Sequence, residues 1–193
     1  PVDPERPVED QLGAAHDAAR ARGHEGLMVK DLESRYEAGK RGSAWRKVKR
    51  AFATLDVVVT RAELGHGKRK GLLSDLTFAV WDGDTLVDIG KAYSGLTDRE
   101  IKAMTEELER LTVEKTPTYR TIAPSIVLEI AFEGLQRSKR HPSGFSLRFP
   151  RIVRRRDDKA VTEADRIEAV RALFDAQLAS GHREEAPPVL RQK

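Results

Sequence analysis

Between Leu55 and Tyr93 the chain has few ways to fold. Leu55–Arg61 reads Leu-Asp-Val-Val-Val-Thr-Arg, a β-branched run that packs well on a pleated surface and loses rotamer freedom in a helix. Leu72–Trp81 and Thr85–Tyr93 follow, split by Asp82-Gly83-Asp84. That triplet is a hairpin signal, because glycine and aspartate tolerate the left-handed backbone of a tight turn. Gly65-His66-Gly67-Lys68-Arg69-Lys70-Gly71 is a basic, glycine-rich turn between the first two segments. Ser125–Glu133 and Gly144–Arg151 read as two more strands. One amphipathic helix interrupts the series, Thr97–Leu111, with Ile101, Met104, Leu108 and Leu111 on one stripe and Thr97-x-x-Glu100 as a capping box. About five strands, with a helix before the last two, predict a small closed β-barrel of the five-strand OB architecture.

The flanks have a different texture. Pro1–Pro7 is proline-rich and acidic, and reads as an extended connection. Residues 8–22 place Val8, Leu12, Ala15 and Ala19 at helical spacing and stop at Gly23, a helix cap. Strands over Gly26–Asp31 and Ser43–Arg50 follow, joined by a charged, glycine-containing loop. The change of periodicity puts a boundary near Ala51–Thr54, giving expected domains 1–52 and 53–182. The latter closes with a helix over Thr162–Ser180, and 183–193 reads as a disordered tail.

Composition narrows the function. The 193 residues contain no cysteine, which removes disulfides and thiolate metal sites. Hydrophobic residues make up 39% and charged residues 34%, a globular balance without a run long enough for a membrane helix or secretory signal. The expected setting is cytoplasmic. Net charge is only +4, but it is unevenly spread. Residues 1–25 hold six acids against three arginines, 40–50 hold six basic groups and no acid, and 137–159 hold nine Lys or Arg against Asp157 and Asp158. Two basic clusters far apart in sequence fit an anion longer than one nucleotide.

Within the second of these regions, Trp45-Arg46-Lys47-Val48-Lys49 sets two ammonium groups on one face of a strand, since residues two apart project together. Like charges held so close repel unless an anion lies between them, as a polyphosphate or nucleic-acid backbone would. Glu25, just before the Leu27-Met28-Val29 run, is placed to carry a divalent metal for phosphate chemistry. The Gly65–Gly71 loop lacks the Lys-Ser/Thr ending of a P-loop, so it fits a DNA backbone better than nucleotide hydrolysis. Histidines at 16, 24, 66, 141 and 182 have no ligand spacing.

Three segments also carry a family resemblance. Glu25-Gly-Leu-Met-Val-Lys30 resembles motif IV of the covalent nucleotidyltransferases in the form of ATP-dependent DNA ligases. Lys40-Arg41-Gly42-Ser43 followed by Trp45-x-Lys47-x-Lys49 resembles motif V. Arg148-Phe-Pro-Arg151-x-x-Arg154-x-Arg156-x-Asp158-Lys159 resembles motif VI, and the order and spacing are those of a ligase of bacterial or archaeal type. The Lys-x-Asp-Gly nucleophile motif of that family is absent from the sequence, so the expectation is a carboxy-terminal part that does not adenylate itself.

The resemblance implies a mainly β chain with some α, the end of an adenylation domain followed by an OB barrel. It implies ATP and Mg²⁺ as cofactors and nicked double-stranded DNA as partner, without a membrane and as a monomer. Glu25 is the implied metal carboxylate; Arg41, Lys47 and Lys49 the ATP or AMP contacts; and Lys47, Lys49, Arg154, Arg156 and Lys159 the catalytic cations. Lys68, Arg69, Lys70, Arg137, Lys139, Arg140, Arg148 and Arg151 are the expected DNA contacts. Gln136, Ser138 and His141 belong to the same segment before motif VI. A non-catalytic OB-type DNA-binding module and an RNA ligase or capping relative are the alternatives.

Overall fold

The computed structural model describes residues 2–24, 26–40, 42–48 and 51–179. The chain divides into two compact units, Pro1–Arg50 with Asp175–Lys193 and Ala51–Phe174.

In the first unit α1 runs Val8–Ala21. Its buried face is His16 and Ala19, with Leu12 half-buried and Ala15 exposed. The stripe therefore follows i, i+4, i+7 from Leu12 through His16, one position off the expected Ala15. Gly23, at φ +80°, donates its N–H to Arg20 O at 2.8 Å, and His24 N–H reaches Ala19 O at 3.0 Å. These are the two bonds of a Schellman cap. The segment before the helix is turned rather than extended: the Gln11 amide accepts from Asp3 N–H and donates to Asp3 O and Arg6 O. β1 (Leu27–Lys30) and β2 (Trp45–Val48) form an antiparallel pair, with Met28 opposite Lys47 and Lys30 opposite Trp45. β1 is shorter than the expected Gly26–Asp31, and β2 begins at Trp45 rather than Ser43.

The second unit contains nine strands among the described residues, not five. They are β3 (Ala53–Leu64), β4 (Leu73–Asp82), β5 (Thr85–Ala92), β6 (Thr112–Lys115), β7 (Tyr119–Ile122), β8 (Val127–Phe132), β9 (Gly134–Arg137), β10 (Phe145–Arg148) and β11 (Arg151–Arg155). The main sheet runs β11-β8-β3-β4-β5, with β6 joined through β7 to β3; β9 and β10 form a separate hairpin. β3 makes the sheet curl. Its first half pairs with β8, its second half pairs with β7, and register shifts lie at Val59/Arg61 and Glu63/Leu64 on the β4 edge. Such bulges bend a strand and increase its twist. The result is a mainly β, curled sheet of OB-like character.

α2 (Asp98–Arg110) carries the expected capping box, with Glu100 N–H donating to Thr97 Oγ1 and Thr97 N–H to Glu100 Oε2. Ile101, Met104 and Leu108 are buried. The core also takes Leu55, Val57 and Val59 of β3, Phe78 and Val80 of β4, and Ile167, Val170 and Phe174 of α3 (Ile167–Ala179). A smaller cluster covers the opposite face of β3, where Val58, Val127 and Ala164 pack with Trp81, Leu86 and Val161.

Two expectations are corrected by backbone chemistry. Gly144–Arg151 is broken into β10 and β11 at Phe149, whose φ is +50°, and Pro150 has no N–H for a ladder. The terminal helix starts at Ile167 rather than Thr162. A 3-10 turn occupies Val161–Glu163 and Ala164 is extended. Asp165 is then engaged with the sheet, its O accepting from Trp81 N–H at 3.0 Å.

Candidate functional site

The end of β11 carries the densest charge chemistry of the second unit. A register shift between Ile152 and Arg154 leaves Val153 as an extra residue and resets which side chains face inward. Arg154 then stands opposite Glu129 on β8, its Nε 2.6 Å from Glu129 Oε2. Arg155 reaches the other way and grips Glu107 of α2 with both terminal nitrogens, while Asp157 is a second carboxylate partner. This fork holds the Glu107 carboxyl below the usual carboxylate range, despite an opposing desolvation, and raises the Arg155 guanidinium.

The shift has a stability consequence. Glu107 ionises more readily folded than unfolded, so its contribution is present above the unfolded value and lost as pH falls through the lower folded one. Glu107→Gln is expected to lower the unfolding free energy by about 1–3 kcal/mol at neutral pH. It should also flatten the loss of stability below about pH 4. Urea unfolding at a series of pH values checks both.

Past Arg155 the chain turns over Asp157 and Asp158, with Lys159 N–H donating to Arg156 O at 3.1 Å. This turn points Arg156 and Lys159 at one carboxylate. Arg156 Nη1 donates to Asp56 Oδ1 and Oδ2 at 2.9 and 2.7 Å, and Lys159 Nζ to Asp56 Oδ2 at 2.6 Å. Arg156 Nε and Nη2 meanwhile clamp the two oxygens of Asp158 at 2.9 and 2.8 Å. Asp158 pulls the Arg156 guanidinium up, and Arg156 holds the Asp158 carboxyl far down. Asp56 raises the Lys159 ammonium. Arg156, Lys159 and Asp158 stay charged at neutral pH.

Asp56 itself is 8% exposed. It shares a strand face with Val58, beneath the segment that carries Val161 and Ala164. Asp165 locks its main chain: Asp56 N–H donates to Asp165 Oδ2 and Asp165 N–H to Asp56 O, each at 2.8 Å.

In the first unit, Lys30 Nζ lies 4.0 Å above the Trp45 ring. Trp45 donates Nε1–H to Ser34 Oγ at 3.1 Å and tilts against Tyr36. Trp45 is thus held by its neighbours, and the β1–β2 register places Lys30 and Lys47 on the face it occupies. Lys47 is exposed. Glu25, Arg41 and Lys49 lie outside the described residues. Among the described residues no three His, Cys, Asp or Glu side chains converge as a metal site.

The residues read from sequence as DNA contacts divide by what they touch. Lys68 and Lys70 are exposed on the loop around the 3-10 turn Gly67–Arg69. Arg69 points back, donating to Tyr93 O at 2.6 Å with Asp98 nearby, and serves the loop's anchorage. Arg137 lies over the Phe174 and Phe145 rings, while Lys139, Arg140 and Arg151 are exposed. Arg148 lies over Phe149, which is 60% exposed. In the loop before β10, Ser138 Oγ and His141 Nδ1 are 2.9 Å apart. Burial, reinforced by Arg140 and opposed by Asp88, pushes the His141 imidazole down. Arg154 does not join the Asp56 network.

Sequence reasoning missed Asp56, Asp165 and Glu107. A charge inside Leu-Asp-Val-Val-Val is itself a signal, since a carboxylate on a buried strand requires a partner.

Comparisons with known proteins identify the relatives of this chain. A family model described as ATP dependent DNA ligase domain matches residues 6–49, and one described as ATP dependent DNA ligase C terminal region matches 69–159. A probable DNA ligase of Koribacter versatilis is 52% identical over 168 residues, covering 87% of this chain and 29% of its own length. A probable DNA ligase of Opitutus terrae is 52% identical over 173 residues, covering 88% of this chain and 17% of its own. The chain thus spans less than a third of either relative. The crystal structure of the ligase domain of M. tuberculosis LigD is 26% identical with a TM-score of 0.51, over 80% of this chain and 51% of that one. Two ligase family models matched in succession, with half identity to ligases across most of its residues, place this chain in the ATP-dependent DNA ligase family.

Proposed function

We propose that this chain provides phosphate and DNA contacts to an enzyme of the relatives' full length that seals nicks in duplex DNA. Residues 1–52 would be the end of its adenylation domain, 53–182 its OB domain, and 183–193 a tail. In the reaction implied by the family, a lysine on the Lys-x-Asp-Gly motif attacks the α-phosphorus of ATP and pyrophosphate leaves. AMP then passes to the 5′-phosphate at the nick, and the 3′-hydroxyl displaces it. Negative charge grows on both sides of the α-phosphorus in the first step, so cations fixed in place lower that barrier most.

The observation that carries this reading is the convergence of Arg156 and Lys159 on the buried Asp56, with Asp158 completing the set. It supports Lys159 as a contact for the leaving phosphates. Lys47, with Lys49 and Arg41, would serve the α-phosphate and bound nucleotide, and Arg154 would approach from the outer sheet edge. Magnesium on Glu25 would offset phosphate charge. Lys68, Lys70, Lys139, Arg140, Arg148 and Arg151 would follow the DNA backbone, joined by whatever donors Arg69 and Arg137 retain. DNA, rather than RNA, is supported by the descriptions of both family models as DNA ligase domains.

Radiolabelled ATP with magnesium tests the reading. The full-length enzyme is expected to take up a covalent AMP label, and the 193-residue chain none, because it contains no Lys-x-Asp-Gly. A labelled adduct on the chain alone would overturn the division of labour.

A further inference from the structure

Two cations and two carboxylates share the end of β11, and they are not equivalent. The Arg156 guanidinium spends Nε and Nη2 on Asp158 and Nη1 on Asp56, and its side chain is 14% exposed. Little of its fork remains for another oxyanion. Lys159 spends one of three N–H bonds on Asp56 and is 30% exposed, so two donors remain for a phosphate. Asp56 cannot follow either partner outward. Its side chain is 10% exposed, its strand is paired with β8, and its main chain is bonded in both directions to Asp165. Withdrawing both cations would leave a carboxylate buried and unpaired, a strongly unfavourable state.

We propose that Asp56 is a positioning residue that stays in place through the reaction, with Arg156 as the strut between it and Asp158 and Lys159 as the group presented to phosphate. This assignment rests on the proposed role of Lys159 in contacting ATP, and separates that role from the one motif VI resemblance gave equally to Arg156. The anchor fixes where the ammonium stands. It also keeps it charged: Asp56 and Asp165 favour the protonated form, against Arg156 and desolvation.

A double-mutant cycle in the full-length enzyme tests it, read as the maximal single-turnover rate of enzyme–adenylate formation. Asp56→Asn keeps the shape and one acceptor. It is expected to lower that rate by about tenfold, the order lost when a positioned group loosens. In a Lys159→Ala background the same change is expected to have almost no further effect, because the group it positions is gone. Equal factors in both backgrounds, or no effect of Asp56→Asn in either, would overturn the assignment. A Lys159→Ala enzyme as fast as wild type would instead refute the phosphate role of Lys159, so the two failures are distinguishable.

Should Asp56→Asn not fold, NMR titration of the Lys159 ammonium in the unmutated 193-residue chain decides. Deprotonation above the ordinary lysine range supports the anchor, and an ordinary or lower value contradicts it.

Discussion

Lys47→Ala, introduced into the full-length enzyme, is expected to slow enzyme–adenylate formation by about a hundredfold or more, the scale lost when a fixed donor to developing charge is removed. The side chain stands exposed on β2 opposite Met28, so folding should change little. The loss should appear in the maximal rate at saturating ATP, because the role proposed for the ammonium is where charge builds on the α-phosphate rather than in general affinity. Single-turnover transfer of labelled AMP, read beside the thermal midpoint, separates the two. An equal drop in both would make Lys47 a structural residue.

Gly95→Ala is expected to be the most destabilising small substitution in the second unit. Gly95 has φ +112°, and a Cβ there would lie 1.8 Å from Ile152 O and 2.7 Å from Ile152 N. The obstacle is backbone, held by the bond from Ile152 N–H to Ser94 O at 2.9 Å. No rotamer change relieves it. The expected cost is roughly 4 kcal/mol or more, from strain plus displacement of β11. That is a large share of the ~5–15 kcal/mol that stabilises an ordinary domain. Because β11 leads directly into Arg156 and Lys159, displacing it would also disturb the Asp56 network. Urea unfolding of the wild-type and Gly95→Ala chains measures the cost, and a change under about 1 kcal/mol would contradict the close approach.

How much of this could be read from residues alone depended on the strength of the local signal. β3, β4, β5 and α2 were legible because β-branched runs, the Asp82-Gly83-Asp84 turn and the Thr97 capping box are strong and short-range. β6, β7 and β9 were not. Each has four residues: Tyr-Arg-Thr-Ile becomes a strand because β3 offers an edge to pair with, Thr-Val-Glu-Lys because β7 does, and Gly-Leu-Gln-Arg because β10 does. The split at Phe149 was announced by Pro150, whereas the extra residue at Val153 has no sequence mark. That extra residue decides which of Arg154, Arg155 and Arg156 face which carboxylate. The cations of the candidate site were visible as motif and charge run. Their partners were not, since Asp56 lies 100 positions from Arg156 and 103 from Lys159 in the chain. Only a fold can bring them together.

Transfer of labelled AMP to the full-length enzyme, compared for wild type, Lys47→Ala and Lys159→Ala in one single-turnover series, decides whether these cations take part in nucleotidyl transfer. Both variants are expected to remain folded and to lose enzyme–adenylate formation. Wild-type rates in both folded variants would contradict this, and would leave the cations of β2 and of the turn after β11 without a part in the chemistry.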